Sequence, residues 1–81
     1  MSHTVQYVDT LQKEVVENWS KNNGFNAEES IIMHMQSRFN ANAICICGVR
    51  DEGDHMILDI ATEIWDKPRE FALFSSGSLM W

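Results

Sequence analysis

Residues 43–49 read AICICGV, residues 50–54 RDEGD and residues 55–65 HMILDIATEIW: apolar, acidic turn, apolar again. Ala43 to Val49 carries no charge and is too short for a typical helix, which predicts a buried strand. Asp51-Glu52-Gly53-Asp54 is turn chemistry, with Gly53 free to take positive φ. The second run has two readings. As a strand, Met56, Leu58, Ile60, Thr62 and Ile64 make an apolar face, and His55, Ile57, Asp59, Ala61, Glu63 and Trp65 a mixed one. As a helix, Asp54 caps it, His55, Asp59, Thr62 and Asp66 form a polar stripe, and Pro68 ends it. The β-branched content and the hairpin turn favour the strand.

A four-residue loop at 51–54 pairs Arg50 with His55, which sets Cys47 opposite Leu58 and Cys45 opposite Ile60. Both thiols then enter the apolar face as small hydrophobes, and a one-residue slip would reverse this. At strand spacing the two cysteines run parallel at the far limit for a disulfide, so reduced thiols are expected.

Downstream, Asp66-Lys67-Pro68-Arg69 is a second turn, EFALFS at 70–75 a third strand, and Ser76-Gly77-Ser78 a break before Leu79-Met80-Trp81. Upstream, helical periodicity runs over about 5–22, with Val8, Leu11, Val15 and Trp19 on one stripe and Ser2 or Thr4 as cap. Asn23-Gly24-Phe25 ends it, glycine taking the left-handed position and phenylalanine folding back. Asn26 caps a second helix over 27–39, with Glu29 three residues on and Ile31, Ile32, Met35 and Phe39 as its buried face. The expected fold is α+β in a single domain, 1–81: an antiparallel helix hairpin packed on an antiparallel meander of strands at about 43–49, 55–65 and 70–75. The alternative makes 43–75 a strand–helix–strand unit.

The chain has 81 residues and a net charge of −6, unevenly placed. Residues 51–81 carry seven acids against Lys67 and Arg69, while residues 1–50 carry five against four bases. That acidic half repels nucleic acid and attracts a basic protein surface. Neither a membrane-spanning apolar run nor a signal peptide is present, which predicts a cytoplasmic protein. No phosphate loop, nucleophile elbow or zinc spacing occurs, so no cofactor, metal or enzymatic activity is expected.

The expected function is an acidic binding protein that occludes a protein partner, as inhibitors and adaptors of phage or mobile-element type do. Its partner-binding residues would be Asp51, Glu52, Asp54, Asp59, Glu63, Trp65, Phe71 and Trp81. Surplus apolar residues near the C-terminus also suggest a homodimer, joined along an edge strand at 70–75 or through an open sheet face. The alternative is a homo-oligomeric module with an interfacial pocket, in which Arg50 and His55 hold an anionic ligand and Trp65 stacks on it.

Overall fold

Residues 44–62 of the stretch 43–65 form a β-hairpin at the centre of the sheet. The computed structural model describes residues 4–81, so Ser2, expected as a possible cap, and His3 lie outside the described residues. In order the elements are β1 (Val5–Tyr7), α1 (Thr10–Asn22), α2 (Ala27–Phe39), β2 (Ile44–Asp51), β3 (His55–Thr62), β4 (Arg69–Phe74) and β5 (Leu79–Met80). They make an α+β fold of two helices and a five-stranded mixed sheet in the order β1-β2-β3-β4-β5. Only β1 and β2 are parallel, and the helix pair between them is the crossover that a parallel connection requires.

The helical reading of 55–65 is not adopted. Met56, Leu58 and Ile60 are fully buried and pair on both sides, which alternation permits and a helix does not. They face Val16 of α1 and Ile31 and Met35 of α2, all without exposure. Val5, Ile44, Ile46, Phe71, Leu73 and Leu79 complete the sheet's side of the core. Burying each of the larger side chains stabilises the fold by roughly 1.5–3 kcal/mol before the entropy of ordering.

The helix ends follow the sequence closely. Gly24 has φ of 85°, the Phe25 N–H donates to the Ser20 carbonyl at 3.0 Å, and the Phe25 ring meets Trp19 edge-on at 6.0 Å. The Asn26 side chain accepts from the Glu29 N–H at 3.0 Å. Gly77, at φ 92° in the β4–β5 turn, lies under Phe25 and Ser30, tying the last hairpin to the helix loop.

Four expectations are corrected. Residues 5–7 are a strand, and α1 begins at Thr10 with Asp9 as its cap, its carboxylate accepting from the Leu11 N–H at 2.8 Å. Val5 and Tyr7 turn inward as alternate strand residues, so α1 sets Val16 and Ser20 against the core. The stripe read as buried is therefore largely outside: Val8 and Leu11 are 71% exposed and Val15 44%.

The meander has four strands, because Leu79–Met80 returns as β5. It pairs with β4 at Ala72 and Leu73, covering part of the edge expected to dimerise at 70–75. The third correction is the end of the second strand. β3 stops at Thr62, where the Trp65 N–H closes a turn onto the Thr62 carbonyl, and Ile64 is left exposed.

The fourth is register. Val49 pairs with Leu58 and Arg50 with Ile57, two residues away from the expected pairing, which leaves the faces unchanged. Between Ile46 and Gly48 one extra residue, Cys47, bulges out, so that Ile46 pairs with Ile60 and Cys45 with Ala61. The odd residue flips every pairing beyond it. Ile44 and Ile46 take the core positions, and both thiols leave it: Cys45 is half-buried and Cys47 exposed.

Candidate functional site

Both helices lie on one face of the sheet, and no described residue covers the other. Alternation brings Gln6, Cys45, Gly48, Arg50, His55, Ile57, Asp59, Ala61, Glu70, Ala72, Phe74 and Met80 to this open face. Phe74 is 38% and Met80 48% exposed, and with Ile57 and Ala72 they form an apolar strip across β3–β5. The His55 ring tilts over Phe74 at 5.6 Å and closes one end of the strip.

Beside the strip stands a charge arrangement that the chain compensates only in part. Asp59 and Glu70 are direct cross-strand partners. Like charges placed so are destabilising by a few tenths of a kcal/mol or more. Arg50 answers only in part: its Nη2 lies 3.9 Å from Glu70, while its Nε is engaged with Glu52 at 3.2 Å. The Asp59 carboxylate packs over Gly48, where a Cβ would come within 2.7 Å of Oδ2.

The acidic turn adjoins this face and is held in shape. The Asp51 side chain accepts from the Gly53 N–H at 2.8 Å, and the Glu52 N–H donates to the His55 carbonyl at 3.0 Å. Gly53 takes φ of 91°. Trp19 of α1 donates its indole N–H to the Gly53 carbonyl at 3.2 Å, anchoring the turn to the helix layer. Asp54 contacts His55 Nδ1 at 2.6 Å, its own side chain largely in solvent. Asp51, Glu52 and Asp54 thus border one end of the open face, and Asp59 and Glu70 stand further along it, in mid-sheet.

The remaining candidates lie elsewhere. The Glu63 carboxylate accepts from the backbone N–H of Asn42, at 2.9 Å to one oxygen and 3.2 Å to the other, and of Ala43 at 3.1 Å. These bonds hold its pKa below the ordinary carboxylate value, and they bind the entry to β2 rather than a partner. Phe71 is buried. It belongs to a cluster on the helix side, with Trp65 and Trp81 stacked beside it at 5.8 and 6.2 Å and Phe39 edge-on to all three rings. Arg69 lies over this floor, its guanidinium carbon 4.3 Å from the Trp65 centroid and 4.6 Å from that of Trp81. Trp81 alone of the three stays largely exposed, at 68%.

Arg50, His55 and Trp65 do not converge within one chain. The first two flank the acidic turn, while Trp65 lies past the far end of β3, roughly 23 Å away along the strand, and on the helix side. A shallow cleft of about 520 Å³ does open at that far end, between Thr4, Gln6, Cys45, Ala61, Thr62 and Glu63. No three His, Cys, Asp or Glu side chains gather as a metal site among the described residues. No described helix is long and apolar enough to cross a membrane.

Sequence reasoning placed Ile57 on the mixed face and counted surplus apolar residues near the C-terminus, but it named none of Ile57, Ala72, Phe74 and Met80 among the partner-binding residues. The signal was present in EFALFS: if Phe71 and Leu73 point inward, Ala72 and Phe74 must point out. No family model matches the chain, and no curated protein or solved structure matches it either.

Proposed function

We propose that this chain is an acidic binding module that occludes a basic protein surface through the open face of its sheet and the 51–54 turn. The observation that carries the reading is the Asp59–Glu70 pair, directly opposed in the middle of an uncovered sheet beside an apolar strip. A lysine or arginine brought between those carboxylates relieves their repulsion, while Ile57, Phe74 and Met80 supply the apolar contact that an interface needs at its centre. Asp51, Glu52 and Asp54 extend the negative field over the rim and would speed encounter with a positive partner. Inhibitors and adaptors of phage or mobile-element type act in this way, and a cytoplasmic location fits the reading.

Glu63 and Phe71 drop out of the proposed contact set, since both are engaged within the fold. Trp65 and Trp81 border the opposite layer and would meet only a partner that wraps the β5 edge. The test is affinity capture from nuclease-treated lysate with wild type and with the Asp51→Lys/Glu52→Lys/Asp54→Lys variant. One stoichiometric protein captured by the wild type and lost by the variant supports the reading. Equal capture by both removes the acidic turn from it.

The same apolar strip supports self-association as a second reading. A homo-oligomer could also bring Trp65 of one copy to Arg50 and His55 of another, as the ligand-pocket alternative requires. Sedimentation of the purified chain separates this from hetero-association: a monomer at micromolar concentration counts against it.

A further inference from the structure

The bulge that removes the cysteines from the core leaves both of them on the open face. Cys45 pairs with Ala61 and Gly48 with Asp59, so the extra residue, Cys47, stands with Gly48 opposite Asp59, on the same face as Cys45. The Cys47 sulfur lies 3.9 Å from the Cys45 carbonyl oxygen. Both thiols are reduced, both reach solvent, and Cys45 opens onto the cleft beside Gln6 and Ala61.

We propose that Cys45 and Cys47 form a two-thiolate site for a soft monovalent d10 cation, Cu(I), on the open face of the sheet. The chemistry selects the ion. Thiolates prefer soft metals, and zinc wants four N, S or O ligands that nothing near the bulge supplies. Cu(I) is satisfied by two thiolates. Its charge also offsets the repulsion that two thiolates beside Asp59 would otherwise feel. Binding breaks both S–H bonds, forms both Cu–S bonds, releases two protons to solvent and transfers no electron. Affinity must therefore fall as pH is lowered.

The experiment is an anaerobic titration of the reduced, full-length chain into the bis(bicinchoninate) complex of Cu(I). Parallel titrations use Cys45→Ser and Cys47→Ser, whose unchanged thermal unfolding without copper verifies their fold. The wild type should withdraw one Cu(I) per chain while remaining at its copper-free size, and the bound ion should protect both cysteines from iodoacetamide. Each serine variant should compete more weakly by no less than the roughly 10–100-fold that losing even an outer-shell group costs a metal site. Retained affinity in either variant overturns the site. So does half an equivalent per chain with dimerisation, which would make the copper a bridge between copies.

Discussion

Tyr7 gives the sharpest check on the corrected N-terminus, because it is the only tyrosine in the chain. If residues 5–22 were one helix with Val8, Leu11 and Val15 buried, Tyr7 would lie one turn before Leu11 at the edge of that stripe, with its hydroxyl in water. In the fold described here it is an inward-facing residue of β1, opposite Ile46 and packed against the core. Burial first, then the carboxylates of Glu17 and Glu28, raise its pKa from 10.0 to about 12. The sign follows from linkage. The folded chain holds the phenol proton that the unfolded chain releases near pH 10, so the stabilisation is complete below pH 10 and lost as pH rises through about 12. At full weight that difference is worth roughly 2.7 kcal/mol. The ring keeps partial contact with water, which screens it to something on the order of 1–2 kcal/mol. The assay is the phenolate absorbance titrated against pH, beside urea unfolding of wild type and Tyr7→Phe at pH 9 and pH 11. Wild type should lose stability across that interval and Tyr7→Phe should not lose the same increment. A phenol that titrates near pH 10 in the native chain would refute the β1 assignment.

Other expectations follow from single contacts. Glu63→Gln should weaken the fold at neutral pH and flatten its acid dependence. The wild-type carboxylate stabilises above its ordinary pKa of 4.5 and loses that contribution as pH falls through its lower folded value, which urea midpoints between pH 3 and 7 would register. Gly48→Ala should cost little, because the carboxylate it would meet is the free end of the exposed Asp59 side chain and can rotate away; a cost well above about 1 kcal/mol in the urea midpoint, unchanged in Asp59→Ala, would show the strain lies in the backbone instead. Leu58→Ala, at a fully buried position under both helices, should cost about 2–5 kcal/mol by chemical denaturation, and a cost under 1 kcal/mol would contradict the core described here. Both thiols should react with a small disulfide reagent in the native state, and protection of Cys47 would restore the buried register.

The parts of this fold that were legible in sequence are those fixed by neighbours along the chain. Asn26 and Gly24 mark the helix ends by their own side-chain and backbone chemistry, and Met56, Leu58 and Ile60 mark the buried face of β3 by alternation. The parts that were not are decided at long range. β1 is three residues long and stable only because Ile44 to Ile46 lie beside it, and nothing in Val5-Gln6-Tyr7 announces a parallel partner some forty residues away. Val8, Leu11 and Val15 have an apolar stripe's spacing, yet α1, starting only at Thr10, turns Val16 inward instead. A bulge costs one residue and moves both cysteines across the sheet. Its trace in the sequence is Gly48, the residue that lets Asp59 approach. The acidic turn was readable by composition, whereas the Asp59–Glu70 opposition requires the β3–β4 register.

Among the described residues, the strip on the open sheet face and the α1 stripe at Val8, Leu11 and Val15 are both exposed apolar surfaces, and the strip is the one that adjoins Asp59 and Glu70. The decisive measurement is capture of a partner by wild type, by Ile57→Lys/Phe74→Lys and by Leu11→Lys/Val15→Lys under identical conditions. Occlusion through the open sheet face requires that the sheet variant lose the captured protein and the helix variant keep it. Loss with the helix variant and retention with the sheet variant would contradict that surface directly.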